Sequence, residues 1–275
     1  MYPVSSVHIV YKPTRECIEI ARKYSGVFRE RGVSVEISTV DDVSPRFILN
    51  KDIVVSIGGD GTMLRISMML QDEKSIPLIL PHPCGRRNNF YEESMPEIPV
   101  VVERIFKGDF VIHTYPRGRL CIKGGCIDFL NEVAVVNKDM GRVVGFRVSV
   151  VSPGIHSTYE FEGDGLIVST VPGSAGYNLS AGGPLITGDS EELIITHLNP
   201  MQLGMPSIIV PAYASIIEAS SRGYVILYID GEKLKLLDKG ETVRITGSTN
   251  YLKLIRFSTV YERIRTVLSR RRIVY

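Results

Sequence analysis

Four short runs of apolar and β-branched residues divide the first 112 residues of the chain. Each run is bounded by polar residues, glycine or proline, which is typical of buried strands. They are SVHIVY at 6–11, VSVEI at 33–37, DIVVSI at 52–57 and IPLIL at 76–80. Apolar residues recur every three or four positions over 15–31, and MLRISMML at 63–70 predicts a second helix. Alternating strands and helices predict an α/β N-terminal domain, residues 1–112, with a Rossmann-like parallel sheet.

The pattern changes beyond residue 112. Short runs such as RLCIKG, GFRVSVVSPG and GYVILYID are separated by turn residues, which predicts an all-β sandwich domain over residues 113–258. Near the end, apolar Val260, Ile264, Val267 and Leu268 lie among Glu and Arg. This spacing predicts an amphipathic helix in residues 259–275 that packs back on the first domain.

Composition and charge exclude several classes of protein. Hydrophobic residues make up 44% and charged residues 23%, which is incompatible with a disordered chain. The net charge of +2 is too small to attract nucleic acid or an anionic membrane as a partner. No apolar run reaches the roughly 18 residues of a membrane span, and the first positive charge follows the N-terminal apolar stretch. We therefore expect a cytoplasmic protein without a signal peptide.

The four cysteines are few for this length. Cys121 and Cys126 form the one close pair, in CIKGGC, while Cys17 and Cys84 are far apart in sequence. A metal site would need more ligands than this pair offers. The pattern predicts reduced thiols in the core or in loops.

The run Gly58-Gly59-Asp60-Gly61-Thr62 follows a buried strand and opens a helix, where open α/β sheets bind their ligands. Glycines let the backbone approach a phosphate, and a helix N-terminus presents unpaired N–H groups to it. An aspartate cannot neutralise phosphate, but Asp60 could accept a proton or hold a metal ion. The alternative is a tight turn in which Asp60 caps the helix.

GGDGT after an apolar strand resembles the signature of the NAD kinase superfamily. Diacylglycerol and sphingosine kinases share this signature, and 6-phosphofructokinases carry a variant of it. The resemblance implies phosphoryl transfer without naming the acceptor. It implies that Asp60 is catalytic and that Gly59, Gly61 and Thr62 bind phosphate.

Two further motifs extend the resemblance. Phe129-Leu130-Asn131-Glu132-Val133 is similar to the Asn-Glu element of NAD kinases, which contacts the dinucleotide acceptor. Taken alone, such a pair beside a strand is more often a solvated edge. The run from Asp164 to Pro184, DGLIVSTVPGSAGYNLSAGGP, resembles the long NAD kinase motif DGLIVSTPTGSTAY followed by SLSAGGP.

The third motif offers small residues for close backbone approach, hydroxyl groups, and the Tyr177 ring as a stacking face. The resemblance implies that Asp164 and Tyr177 contact the acceptor, with Ser180 nearby. The full set of NAD-binding residues that it implies is Asn131, Glu132, Asp164, Ser174, Gly176, Tyr177, Ser180 and Phe90.

The chain departs from the family pattern after the IPLIL strand. NAD kinases usually have Gly-x-Asn-x-Gly-x-Leu-Gly-Phe there, whereas this chain has PHPCGRRNNF at 81–90, in which only Gly85 and Phe90 match. Arg86 and Arg87 suit bidentate phosphate contact, or they form an exposed basic loop. In the third motif, Val171 to Gly176 lose two hydroxyl groups of the family pattern. These changes affect the identity of the acceptor more than phosphoryl transfer.

The resemblance implies an NAD kinase that phosphorylates the 2′-hydroxyl of the adenosine ribose of NAD. ATP or polyphosphate would be the donor, with Mg²⁺ or another divalent metal and no metal ligand assigned to the protein. A homodimer or homotetramer is implied as well. The alternatives are a kinase of the same superfamily with another hydroxyl acceptor, or a nucleotide-binding regulator without catalysis.

Overall fold

A computed structural model describes residues 3–71, 76–85, 89–92, 94–139, 141–188, 190–258 and 267. The chain divides into two compact units. The first unit contains the described residues up to Tyr115 and those from Tyr251 onward, and the second unit extends from Pro116 to Asn250. Among the described residues, no helix is long and apolar enough to cross a membrane.

The first unit is an α/β domain. Its elements up to residue 107 are β1 (Ser6–Tyr11), α1 (Arg15–Glu30), β2 (Ser34–Thr39), α2 (Pro45–Ile48), β3 (Ile53–Gly58), α3 (Asp60–Met69), β4 (Leu78–Pro83) and α4 (Ile98–Lys107). The four strands are parallel and lie in the order β2-β1-β3-β4. Every residue of β3 is buried, as expected for a central strand covered on both faces. The predicted parallel sheet is confirmed.

The second unit is all-β apart from short helical turns. The remaining elements of the chain are β5 (Val111–Ile122), β6 (Gly125–Phe129), β7 (Glu132–Asn137), β8 (Val144–Ser152), β9 (Ile155–Gly163), β10 (Gly165–Thr170), α5 (Tyr177–Ser180), β11 (Glu192–Leu198), β12 (Ile208–Pro211), β13 (Ile216–Ser221), β14 (Val225–Ile229), β15 (Glu232–Leu237) and β16 (Val243–Arg256). One antiparallel sheet has the order β12-β11-β10-β7-β14-β15. Its central strands β7 and β10 carry the second and third motifs.

The sequence analysis overlooked helix α4. Its valine-rich run, IPVVVERIFK, has the composition of a strand. The boundary signals were nevertheless present, because a proline lies in its first turn and Gly108 follows it in a left-handed conformation with φ of 73°. The predicted C-terminal helix lies outside the described residues, except for Val267, which is helical and buried.

The prediction of reduced thiols is wrong. Cys17, at the start of α1, is disulfide-bonded to Cys84, just after β4, and both residues are buried. Cys121 and Cys126 are paired across the β5–β6 hairpin and form a second disulfide. The first pair could not be seen in the sequence, because 67 positions separate the two cysteines.

Candidate active site

The glycine turn joins β3 to α3 at the carboxyl end of the parallel sheet. Gly58 ends the strand, and a Cβ atom there would lie 2.3 Å from Thr62 Oγ1, so the turn requires glycine. Gly59 is the N-cap residue, and its carbonyl accepts the N–H groups of Thr62 and Met63 at 2.9 and 3.2 Å. At Gly61, which is exposed, no atom of the described residues lies within 4 Å of a Cβ position. A phosphate therefore has room beside this backbone.

The Asp60 carboxylate is held by the segment that follows β4. Its Oδ1 accepts the N–H groups of Asn89 and Phe90 at 2.6 and 3.2 Å. Because Asp60 is itself the first helical residue and Gly59 the N-cap, the alternative of Asp60 as the capping residue is wrong. The two donated N–H groups fix the orientation of this partly exposed carboxylate at the helix N-terminus.

The loop residues assigned to ligand binding differ in their placement. The Phe90 ring is 1% exposed and packs against Tyr115 with ring centres 5.7 Å apart, so its backbone and not its ring contacts the turn. Arg86 and Arg87 lie outside the described residues. Thr62 is also buried, beneath Gly58.

The Asn-Glu element in the second unit is held by a buried carboxylate that the sequence analysis did not assign to the site. The side chain of Asp230 accepts the N–H groups of Leu130, Asn131 and Glu132 at 2.8, 2.6 and 3.2 Å. Asp230 has a left-handed backbone with φ of 49°, which is tolerated better by aspartate than by most residues. The signal in the sequence that could have indicated this residue is the Asp230-Gly231 pair directly after an apolar strand.

Asn131 and Glu132 are both buried, at 9% and 7% exposure, so the alternative of a solvated strand edge is wrong. Burial, together with the nearby Asp230 carboxylate, raises the pKa of Glu132 to about 7. Burial likewise raises the pKa of Asp230 to about 6, although the three N–H donors act in the opposite direction. Within the part of the chain that the structure describes, Asn131 Oδ1 and Glu132 Oε2 have no hydrogen-bond partner. Unsatisfied buried oxygens of this kind are suited to binding a polar ligand.

A cavity of about 300 Å³ adjoins this element. It is lined by Glu132, Ala134, Val136, Tyr177, Tyr228 and Gly231. Apolar walls, two tyrosine rings and one carboxyl group are the composition of a small-molecule pocket. Tyr177 is 44% exposed at the start of α5, so its ring is accessible for stacking.

The loop between β10 and α5 is held by buried polar side chains. Ser174 Oγ donates to the Val171 carbonyl at 2.7 Å and accepts the Ile186 N–H at 3.1 Å. Asn178, which the sequence analysis overlooked, is fully buried and donates to the carbonyls of Ser174 and Pro184 at 3.1 and 2.9 Å. Ser174 and Asn178 therefore fix the loop itself.

Glycines bring this loop against the Asn-Glu element. A Cβ at Gly173 would lie 2.0 Å from the Asn131 carbonyl oxygen. A Cβ at Gly176 would lie 2.9 Å from Glu132 Oε2. The loop backbone can approach Asn131 and Glu132 closely because both positions lack a side chain.

Asp164 lies apart from this cluster. Asp164 immediately precedes β10, whereas Ser169, near the other end of that strand, is paired with Glu132. Asp164 and Ser169 are five residues apart along the strand, which corresponds to about 17 Å. Asp164 Oδ2 accepts a hydrogen bond from Asn199 at 2.7 Å, and Ser180 is exposed at the end of α5. Asn131, Glu132, Gly176 and Tyr177 are thus brought together, while Asp164 is not.

Among the described residues, no group of three or more His, Cys, Asp or Glu side chains could hold a metal ion. Asp60 offers carboxylate oxygens of the kind that Mg²⁺ accepts when phosphates of a bound nucleotide supply other ligands.

Family models match both parts of the chain. A model described as the ATP-NAD kinase N-terminal domain matches residues 8–110, and one described as the ATP-NAD kinase C-terminal domain matches residues 130–257. An NAD kinase of Methanopyrus kandleri is 34% identical over 219 residues, which are 78% of this chain and 76% of that protein. An NAD kinase of Aeropyrum pernix is 33% identical over 268 residues, which are 91% and 92% of the two chains.

Solved structures agree with these matches. The crystal structure of an NAD kinase from Archaeoglobus fulgidus in complex with ATP has a TM-score of 0.77 and 26% identity, covering 96% of this chain and 98% of that one. A yeast NADH kinase complexed with NADH has a TM-score of 0.83 and covers 99% and 89%, but at 18% identity it supports the fold alone. The predicted two-domain fold and the predicted family are confirmed, and the chain belongs to the NAD kinase family.

Proposed function

We propose that this chain transfers the terminal phosphoryl group of ATP to the 2′-hydroxyl of the adenosine ribose of NAD, giving NADP. The observation that carries the proposal is the Asp60 carboxylate, which is oriented by two backbone N–H groups at the N-terminus of α3. Family membership supplies the acceptor, and the ATP complex of the Archaeoglobus fulgidus relative supports ATP over polyphosphate as donor.

Asp60 orients the attacking hydroxyl and accepts its proton. An ordinary aspartate is a weak base, but a loose phosphoryl-transfer transition state depends mainly on positioning. The N–H groups of Gly59 and Gly61 bind the donor phosphates at the N-terminus of α3, and the space beside the exposed Gly61 is open. Asp60 would hold a Mg²⁺ ion bound with the nucleotide, and the ion would supply positive charge to offset that of the phosphates.

The second unit binds the acceptor. Glu132 Oε2 and Asn131 Oδ1 supply hydrogen-bonding atoms that have no protein partner among the described residues, and Tyr177 supplies a ring for stacking. A cavity of about 300 Å³ accommodates one end of a dinucleotide better than the whole of it. Asp164, about 17 Å away along β10, is assigned to the other end of the same molecule.

Cytoplasmic location and a homodimer or homotetramer complete the proposal. Two disulfides are unusual for a reducing compartment, but intracellular proteins of hyperthermophilic archaea and bacteria are an exception to that rule.

The test is a coupled assay. Purified protein is incubated with NAD, Mg²⁺ and either ATP or polyphosphate, and NADP is measured with an NADP-specific dehydrogenase. We expect NADP to form with ATP. Asp60→Asn keeps the size of the side chain but removes its charge, and we expect it to lower kcat by about 10³-fold while NAD binding, measured by calorimetry, is unchanged.

Three outcomes would contradict parts of this proposal. Turnover of Asp60→Asn equal to that of the unmutated protein would remove Asp60 from the mechanism. NADP formation with polyphosphate alone would change the donor. Consumption of ATP with another hydroxyl compound, but not with NAD, would mean that the departures at 81–90 and 171–176 have changed the acceptor.

A further inference from the structure

The segment after β4, in which this chain departs most from its family, returns to the glycine turn. Its start is fixed twice: Cys84 is disulfide-bonded to Cys17, and its N–H donates to the Gly58 carbonyl at 2.8 Å. Asn89 and Phe90 donate their N–H groups to Asp60 Oδ1. Tyr91 follows immediately. The segment therefore reaches both the backbone of the turn and the carboxylate that the turn presents.

Tyr91 is fully buried, and its hydroxyl lies between the Ser56 side chain in β3 and the Gly59 carbonyl in the glycine turn. It donates to the Gly59 carbonyl at 3.1 Å and lies 2.8 Å from Ser56 Oγ, which is also fully buried. A phenol has one proton to donate. Because that proton is directed to Gly59, Ser56 must donate to the Tyr91 oxygen. The result is an oriented chain of hydrogen bonds from Ser56 through Tyr91 to the peptide group that precedes Asp60.

This contact adds a side-chain donor to the Gly59 carbonyl, which also accepts the N–H groups of Thr62 and Met63. Gly59 is the N-cap of α3 and has no side chain to cap the helix or to restrict its own backbone. The Tyr91 hydroxyl restrains the Gly59 carbonyl, and the peptide bond of that carbonyl leads directly into Asp60. Burial and the nearby Asp60 charge both raise the pKa of Tyr91, so its hydroxyl remains a donor at any physiological pH.

We propose that Tyr91 is a positioning residue for phosphoryl transfer. It holds the Gly59–Asp60 peptide, and the preceding residues Asn89 and Phe90 hold the Asp60 carboxylate, so one segment determines both the place and the direction of the reactive group. The proposal rests on the proposed role of Asp60. It also assigns a function to a segment that has lost most of the family pattern.

The experiment compares Tyr91→Phe with Tyr24→Phe. Tyr24 is a matched control, because it is also a fully buried tyrosine of the first unit, with its hydroxyl 2.8 Å from His82 Nδ1. Both variants lose one hydroxyl group from a buried site. We measure kcat, the KM values for NAD and ATP, and the thermal unfolding midpoint. Tyr91→Phe is expected to lower kcat about tenfold with both KM values within twofold, whereas Tyr24→Phe leaves kcat within twofold.

Ser56→Ala tests the same chain of hydrogen bonds from its other end. It is expected to lower kcat about threefold with unchanged KM values, and the double variant with Tyr91→Phe is expected to be no slower than Tyr91→Phe alone. This second variant keeps the test decisive if Tyr91→Phe does not fold.

Three results would overturn the proposal: kcat of Tyr91→Phe within twofold of the unmutated value, an equal loss of kcat in Tyr24→Phe, or a loss expressed only in KM. Asp60→Asn, assayed in parallel, separates this inference from the function on which it rests. If Asp60→Asn is inactive and Tyr91→Phe is fully active, only the positioning role fails. If Asp60→Asn is fully active, the assignment of Asp60 fails first.

Discussion

The glycine turn of the first unit and the Asn-Glu element of the second hold their functional groups in opposite ways. Asp60 is a partly exposed carboxylate oriented by backbone N–H groups of another segment. In the second unit the carboxylate of Asp230 is itself buried and orients the backbone of Asn131 and Glu132. On the proposed assignment, the first arrangement presents a reactive side chain to the nucleotide, whereas the second fixes the backbone at the wall of the acceptor pocket.

The difference predicts which property changes when each site is mutated: kcat, the KM for NAD, or stability. We expect a change of the Asp60 side chain to leave the protein folded and to lower kcat, because the turn is stabilised mainly by backbone contacts. Changes at the Asn-Glu element affect stability and the KM for NAD, because they leave buried polar groups without partners.

Asp230→Ala is expected to have the largest effect on stability. It removes the acceptor of three buried N–H groups, and we expect it to lower the free energy of unfolding by about 5 kcal/mol. Chemical denaturation followed by circular dichroism measures the effect. Asp238→Ala, at an exposed position of the same unit, is the control and should change stability by less than about 0.5 kcal/mol. A folded and equally stable Asp230→Ala would mean that the Asn-Glu element is held by other contacts.

Each unit contains one disulfide, and the two disulfides differ in the length of the loop that they close. Cys17–Cys84 closes a loop of 67 positions and Cys121–Cys126 a loop of 5. From the entropy of loop closure, Cys17→Ser should cost about 4 kcal/mol and Cys121→Ser about 2 kcal/mol. Denaturation of both variants without reductant measures the costs. Equal costs would contradict the loop-length argument.

Glu132→Gln tests how much the burial of the Glu132 charge lowers the free energy of unfolding. The folded protein holds the proton of Glu132 up to a pKa of about 7, whereas the unfolded chain releases it near its ordinary pKa of about 4.3. Stability from this group is therefore full below pH 4.3 and is lost as pH rises to 7. We expect Glu132→Gln to be more stable than the unmutated protein by about 3 kcal/mol at pH 8 and equally stable at pH 4.

Glu218→Gln is the matched control for that measurement, because Glu218 is exposed on β13. Its unfolding curve should follow that of the unmutated protein at both pH values. A gain at pH 8 that is the same size in both variants would show that net charge, and not burial of Glu132, is responsible.

Gly176→Ala should have the smallest effect. The new Cβ would lie 2.9 Å from Glu132 Oε2 and 3.1 Å from the Gly173 carbonyl oxygen, so Glu132 is displaced. We expect the KM for NAD to rise about tenfold with little change in kcat. Gly26→Ala is the control, since its Cβ meets no described atom within 4 Å. An unchanged KM would show that Glu132 does not contact NAD in its present position.

The sequence predicted the features that depend on local pattern. Strand β3 and the start of α3 follow from an apolar run that ends at Gly58, and the parallel order follows from alternation of strands and helices. Asp60 was recognisable because its neighbours in sequence are also its neighbours in the turn. The identity of the family followed from motifs of the same local kind.

Features that depend on distant pairing could not be predicted. Asp230 lies about 100 positions from the N–H groups that it accepts, and Cys17 lies 67 positions from Cys84. The Tyr91 ring resembles any core aromatic until the fold places its hydroxyl between Ser56 and Gly59. Helix α4 was overlooked for the opposite reason, since its valines favour a strand and tertiary packing overrides that preference.

The position of Asp164 immediately before β10 has a consequence for the proposed binding of the acceptor. If the two ends of one dinucleotide engage Asp164 and Glu132, binding of the first end brings the second to its contacts at a high effective concentration. Two separate mononucleotides gain no such advantage, because each loses its own translational freedom on binding. AMP and nicotinamide mononucleotide together should therefore compete with NAD far more weakly than the sum of their contacts suggests. On the proposed assignment, the length of the six-residue strand β10 favours the intact dinucleotide over its halves.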